Sequence, residues 1–321
     1  MKKSTTIVIL ITIFVLCIFI SGCASSKNGN SKSQFGKNSG QGLTLTFDDQ
    51  TSSIIYDNSP VNVEVLLKNE GYYDIPRGKA MIKLGGYDPT LFSFEALQRI
   101  STILEGKNDN SFGYSDYVSF GESRLKEGFL GENLPEISPT FTATICYPYK
   151  TFASAEVCIN PDIYGKDSKM GRCSAGSAKI YNSNAPITVN SVQERFLSYD
   201  SGSGKVNVKF DITISNIGKN KIWSAANENY MYECGKYNSN LKEIQNKINI
   251  VSVKLTDTKL ECKTASNNEV AQLIGNSVTF SCYGDILAND AFTTTLNIEL
   301  EYGNSNYISK KVTIKSYKYS N

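Results

Sequence analysis

A thiol stands where lipid could be attached to this chain. Cys23 follows Ile20-Ser21-Gly22, and these four residues close an uncharged apolar run behind Lys2-Lys3. The small pair Ser21-Gly22 suits a peptidase pocket, and a cut before Cys23 would free a cysteine to carry a diacylglycerol on its sulfur. The chemistry expected here is anchoring, not catalysis. A second reading uses the same residues. Ser4 to Gly22 is 19 residues without a charge, long enough to span about 30 Å of hydrocarbon as an uncleaved signal anchor. Either reading places the rest of the chain outside the cytoplasmic membrane.

The Ile20–Cys23 pattern resembles the lipobox of bacterial and archaeal lipoproteins. That resemblance implies a membrane partner engaged through lipid on Cys23. With about 0.8 kcal/mol per buried CH₂, two acyl chains hold firmly where one would exchange.

The other cysteines point to an oxidising compartment. Of eight, Cys17 leaves with the signal and Cys23 takes lipid, which leaves Cys146, Cys158, Cys173, Cys234, Cys262 and Cys282. An even set outside the cell implies disulfides, and no C-x-x-C pair suggests a metal. Cys146 and Cys158 flank an expected hairpin, Ile145 to Pro148 returning through Ala155 to Cys158. Cys262 and Cys282 end two strand-like runs. These pairs, each worth about 3 kcal/mol in the loop-entropy picture, leave Cys173 for Cys234.

Several chemistries lack their residues. The chain has no histidine, so imidazole-activated serine or cysteine nucleophiles are excluded, and blue copper and histidine-bound zinc or iron lose their usual ligands. Basic residues number 33 and acidic 31; without Lys2 and Lys3 the balance is 31 to 31, which does not suit a nucleic-acid partner. No Asn-x-Ser/Thr acceptor exists, since Asn58-Ser59-Pro60 fails at its last residue. Asp48-Asp49 lacks calcium-loop spacing and reads as a solvated turn. Glu299 and Glu301 share a polar strand face with no sign of a hydrolytic cleft. No cofactor and no enzymatic activity are expected.

Recognition is left to the aromatic residues. Among 19 tyrosines, Tyr147 and Tyr149 share one strand face beside Cys146. The polar stretch 105–120 carries Phe112, Tyr114 and Tyr117. Exposed tyrosines offer large contact area at low entropic cost. Tyr114, Tyr117, Tyr147 and Tyr149 are therefore the candidate recognition surface, for an unknown surface protein or a glycan.

The elements that position them repeat with period 2. Val61 to Leu67, Val206 to Ile214 and Phe292 to Tyr302 alternate apolar and polar, as half-buried antiparallel strands do. Short helices are expected at Leu91 to Leu104 and Leu241 to Ile248. The segment Val63 to Gly71 matches Phe210 to Gly218 at a constant offset, each ending in Asn-x-Gly, and Ile75 then matches Ile222. This strand–Asn-x-Gly pattern resembles the Ig-like modules of bacterial and archaeal surface proteins, including the CARDB type. The resemblance covers about nine residues in each half. It implies Ig-like sandwiches, and with the repeat, the N-terminal pattern and the Ser, Asn, Gly and Lys composition of 24–42 the expected chain is all-β: a signal at 1–22, a disordered tether at 23–42, one Ig-like domain at 43–186 with an insertion near 86–137, and a second at 187–321. The function expected is adhesion or an envelope scaffold through protein contacts. Carbohydrate binding is the alternative, and a signal-anchored structural protein the second.

Overall fold

Alternation builds the described part of the chain almost entirely from strands. A computed structural model describes residues 40–49, 51–108, 110–162, 173–218, 220–225, 231, 234, 243–266 and 268–319; Cys23 and the signal lie outside these residues. In the first half the strands are β1 (Leu43–Phe47), β2 (Ile54–Tyr56), β3 (Val61–Asn69), β4 (Met81–Gly85), β5 (Leu97–Arg99), β6 (Ser115–Ser123), β7 (Glu136–Ile137), β8 (Thr140–Ile159) and β9 (Lys179–Asn182). The second half contributes β10 (Ile187–Asp200), β11 (Lys205–Asn216), β12 (Lys221–Trp223), β13 (Lys247–Leu255), β14 (Thr258–Lys259), β15 (Glu261–Lys263), β16 (Val270–Gln272), β17 (Ser277–Leu287), β18 (Phe292–Lys311) and β19 (Thr313–Lys315).

The matching segments found in the sequence hold matching places. β3 is the middle strand of β1-β3-β6, and β11 lies between β10 and β17 in β10-β11-β17-β15. Asn69 and Asn216 end these strands and do the same work: Nδ2 of Asn69 donates to the Tyr73 carbonyl at 2.9 Å, and Nδ2 of Asn216 to that of Asn220 at 2.7 Å. Both amides bond the backbone four residues on, as Asn does in turns. Ile75 and Ile222 follow, each fully buried.

The two halves are not separated at 186/187. β8 and β18 are 20 residues each and pair antiparallel from Thr140–Lys311 to Ile159–Phe292, at the centre of a nine-stranded sheet. One continuous core joins this sheet to the β1-β3-β6 and β10-β11-β17-β15 sheets and takes in Ile55 and Ile314 of the small sheet β2-β19-β7. The result is a pair of β-sandwich lobes sharing their two longest strands, so a ladder of backbone hydrogen bonds joins the expected domains 43–186 and 187–321.

Several expectations are corrected by the same strands. The hairpin between Cys146 and Cys158 does not form, because β8 runs straight through Pro148. That proline falls between the stretch of β8 paired with β4, Thr142 to Cys146, and the stretch paired with β9, from Ala153, so on that flank the strand can do without a donor. Cys146 and Cys158 are thus 12 residues apart along one strand, about 40 Å, and cannot bond. The disulfides are Cys146–Cys234, Cys158–Cys173 and Cys262–Cys282. The last is the expected pair; its cysteines are cross-strand partners on β15 and β17. The other two replace Cys146–Cys158 and Cys173–Cys234. Cys146–Cys234 holds Cys234 and Met231 in a small second core with Met81 and Trp223.

The helix expected at Leu91 to Leu104 is absent. Its apolar residues serve an aromatic cluster instead, in which Phe92 and Phe94 meet Tyr87 and Phe141 at ring separations of 5.2 to 6.2 Å. Its backbone is taken up by pairing of β5 with β4. Of the second expected helix, Leu241 lies outside the described residues, and Ile248 is in β13. Nor is 86–137 a mere insertion, since β6 is an integral strand of the first lobe and Val118 and Phe120 are buried. The tether ends earlier than residue 42: Gly42 is buried, and its carbonyl accepts from Glu70 N at 2.9 Å.

Candidate interaction surface

Parity along β8 decides the fate of two candidate tyrosines. Its odd-numbered residues, Phe141 to Val157, all face the core. Tyr147 and Tyr149 belong to this series and are fully buried, so they form no recognition surface. Tyr149 is the cross-strand partner of Tyr302, which is buried as well. The phenols are paired there. Leu43 N donates to Tyr147 Oη at 2.9 Å, and Asn304 Nδ2 donates to the same oxygen. Ile187 N donates to Tyr302 Oη at 3.2 Å, with Thr151 Oγ1 2.9 Å away. Tyr149 Oη donates to Asn69 Oδ1 at 3.4 Å. Burial pushes all three phenols above the usual tyrosine range. These tyrosines tie the first residues of β1 and β10 to the shared ladder.

Tyr114 is half-buried against the core, its hydroxyl donating to Asp116 Oδ2 at 3.3 Å. Of the four candidates, Tyr117 is the exposed one, at 54%. It lies on β6, the border strand of β1-β3-β6, with its side chain on the outer face. Thr46, Leu66 and Tyr117 stand side by side across the three strands, and Glu64 and Ser119 form the neighbouring row. The Asp48 carboxylate beside Tyr117 pushes its phenol above the ordinary value, with smaller contributions from Asp49 and Glu64. The surface is thus a strand face with a half-exposed aromatic ring at its border, its hydroxyl hydrogen-bonded to Asp48, with Asp49 and Glu64 nearby.

The sequence expectations for carboxylates resolve differently. Asp48 sits in a turn, its backbone carbonyl accepting from Thr51 N at 3.1 Å. Glu299 and Glu301 both engage Lys150, whose Nζ is 2.8 Å from Glu299 and 3.9 Å from Glu301. Hydrogen bonding to Glu299 holds the Lys150 ammonium above its usual range. Among the described residues no group of three or more His, Cys, Asp or Glu side chains is placed to hold a metal, and no helix is long and apolar enough to cross a membrane.

Sequence reasoning missed Glu194. Its carboxyl is buried on β10 at 8% exposure, beside the Cys158–Cys173 bridge. Oε2 accepts from Cys158 N at 3.1 Å, and Oε1 has no hydrogen-bond partner. Burial raises the carboxyl to about 7, against the smaller opposing pull of the Cys158 amide. The signal was present in Val192-Gln193-Glu194-Arg195-Phe196, where the glutamate shares the parity of two apolar residues.

No protein-family model matches the chain, and no curated protein matches it. Among solved structures, the serine-rich repeat protein Srr2 from Streptococcus agalactiae aligns over 84% of this chain and 91% of its own at 12% identity, with a TM-score of 0.16. A likeness that slight carries no argument about fold or function.

Proposed function

We propose that this is a non-catalytic, lipid-tethered surface protein that binds a protein partner through the outer face of β6. Tyr117 carries the reading. A tyrosine is half in solvent on a border strand, and that strand belongs to a scaffold braced by a 20-residue ladder and three disulfides. Rigid scaffolds presenting aromatic anchors bind without a large ordering cost. The lipobox pattern at Ile20–Cys23 and the disulfides support display outside the cell.

The test uses residues 35–321, which form one compact unit, as bait for cell-surface proteins and on a glycan array. Capture of a surface protein is expected, and Tyr117→Ala should weaken it about tenfold, in the range of an interface anchor. Tyr307→Ala, at another exposed tyrosine, should leave it unchanged. Glycan binding lost with Tyr117 would replace the protein partner by a carbohydrate; indifference of every ligand to Tyr117 would refute the site. For the anchor, intact-mass measurement of the membrane-extracted protein should show a diacylglyceryl adduct on Cys23 that Cys23→Ser lacks. A wild-type protein without lipid means that the uncleaved helix is the anchor.

A further inference from the structure

The Glu194 carboxyl borders a cleft of about 300 Å³. Its walls come from several elements. Glu156 and Cys158 belong to β8, Lys179 begins β9, and the segment Gly176 to Ala178 runs beside β10. That segment is pinned. Ala178 N donates to the Val192 carbonyl at 3.2 Å, Glu194 N to the Gly176 carbonyl at 3.4 Å, and Gln193 Nε2 to Ser177 Oγ at 3.0 Å. The Cys158–Cys173 bridge ties a further part of the wall to β8. Backbone pairing and a covalent bond thus fix the shape of the cleft.

The charge lining it is unbalanced. Glu194 is more than nine-tenths buried; Oε2 has only the Cys158 amide, and Oε1 has no hydrogen-bond partner among the described residues. A buried acceptor left in that state is unfavourable and calls for an explanation. Glu156 adds a second carboxylate, and Lys179 is the one cation among the described lining residues. Lys179 is engaged elsewhere: its Nζ stands 5.0 Å from the centre of the Tyr181 ring, and hydrogen bonding to Tyr181 holds the ammonium above its usual range. Two acids against one occupied base disfavour an anionic guest. Two carboxylates are also too few for calcium, which takes six to eight oxygens. A single water, whose share of liquid volume is about 30 Å³, would leave most of the cleft open.

We infer that this cleft binds a small organic ammonium ion, whose N–H groups donate to the Glu194 carboxylate while a short alkyl body lies against Ala178 and the Cys158–Cys173 bridge. The last torsion of a glutamate side chain is soft, so the carboxyl can keep the Cys158 amide on one oxygen and turn the other to a donor in the cleft. The guest supplies both things the buried anion lacks, a hydrogen-bond donor and an opposite charge. Ligand sites run upward from about 300 Å³, so a cleft of this size suits an amine of a few carbons. Glu194 on β10 and Tyr117 on β6 belong to different sheets, so this site and the protein-binding surface can each fail without the other.

Calorimetric titration of the full-length protein in detergent with n-butylammonium tests this, with n-butanol as the uncharged comparison. At pH 8 the amine should bind saturably, and the alcohol at least about tenfold more weakly, as expected where a charged hydrogen bond decides. Glu194→Gln keeps an oxygen for the Cys158 amide and removes the charge, so it should fold and lose at least about tenfold in affinity for the amine. Cooperative melting of the variant separates that loss from unfolding. The pH profile is the second readout. Burial raises the Glu194 carboxyl to about 7, so its ionised fraction grows about tenfold from pH 6 to pH 8 and affinity should rise with it. The amine stays charged throughout, and the other titratable groups in the lining are Glu156 and Lys179. Absence of saturable binding to the wild type at pH 8 would overturn the inference. So would binding that is indifferent to Glu194→Gln or to pH, or equal binding of n-butanol.

Discussion

Tyr149→Ala should destabilise the protein by about 3–5 kcal/mol, the range for removing a large buried aromatic side chain. Tyr149 has no exposed surface. Its ring meets Tyr73 at 5.5 Å, Tyr147 at 5.8 Å and Tyr302 at 6.4 Å between centroids. Truncation would open a cavity where both lobes meet the shared strands, and neighbouring phenols tied to Leu43 and Ile187 leave little freedom to close it. Asn69 Oδ1 would keep its bond from Gly71 N at 3.1 Å but lose the Tyr149 hydroxyl. Tyr149→Phe, which keeps the ring, should cost only about 1 kcal/mol, because the lost hydrogen bond is long and Asn69 stays partnered. Thermal or urea unfolding with disulfides intact checks both. Equal, small losses for the two variants would mean that the centre of the ladder is not the keystone its packing implies. Gly71→Ala should resemble the larger change, since a Cβ at Gly71 would collide with Tyr149 Oη and the Asn184 carbonyl.

How much of this could be read in advance depends on how local the cause was. Period-2 alternation in β3, β11 and the first half of β18 is written in adjacent residues and foretold the strands. Asn69 and Asn216 foretold equivalent turns because their bonds reach only four residues. Cys262 and Cys282 were paired correctly because the runs they end lie side by side. β8 failed for the opposite reason. Its odd residues alternate without a break from Phe141 to Val157, but alanine and threonine weaken the apolar signal and Pro148 suggests a turn. Once the break was assumed, Cys146 was given a near partner, whereas its true one lies 88 residues away with no local mark. The same parity shows that Tyr147 and Tyr149 point with Ile145 and Ala153 into the core. Tyr117 could not be told from Tyr147 by type or spacing, because exposure is set by which layer covers a strand, and that is a property of topology.

Glu194→Gln should stabilise the protein near pH 8 and leave it unchanged near pH 4. The folded-state carboxyl titrates at about 7 against an ordinary value of 4.5, so the native state holds its proton after the unfolded chain has released it. Stability from this group is therefore intact below about pH 4.5, falls as pH rises through the window from 4.5 to 7, and stays at its lower level above that. A shift of this size corresponds to about 3 kcal/mol. The cause is geometric: an anion at 8% exposure whose Oε1 has no partner and whose Oε2 has only the Cys158 amide. Glutamine keeps an oxygen for that amide and removes the charge, so the variant should fold. Melting temperatures of the two proteins should coincide at pH 4 and separate by about 5 °C at pH 8, with the wild type lower. Parallel pH profiles would show instead that the carboxylate is compensated in solution. This penalty falls beside the Cys158–Cys173 bridge, whose Cys158 amide is the one hydrogen-bond donor to the carboxylate among the described residues. Reducing conditions should then destabilise the wild type more steeply at pH 8 than at pH 5, and Glu194→Gln should remove that difference.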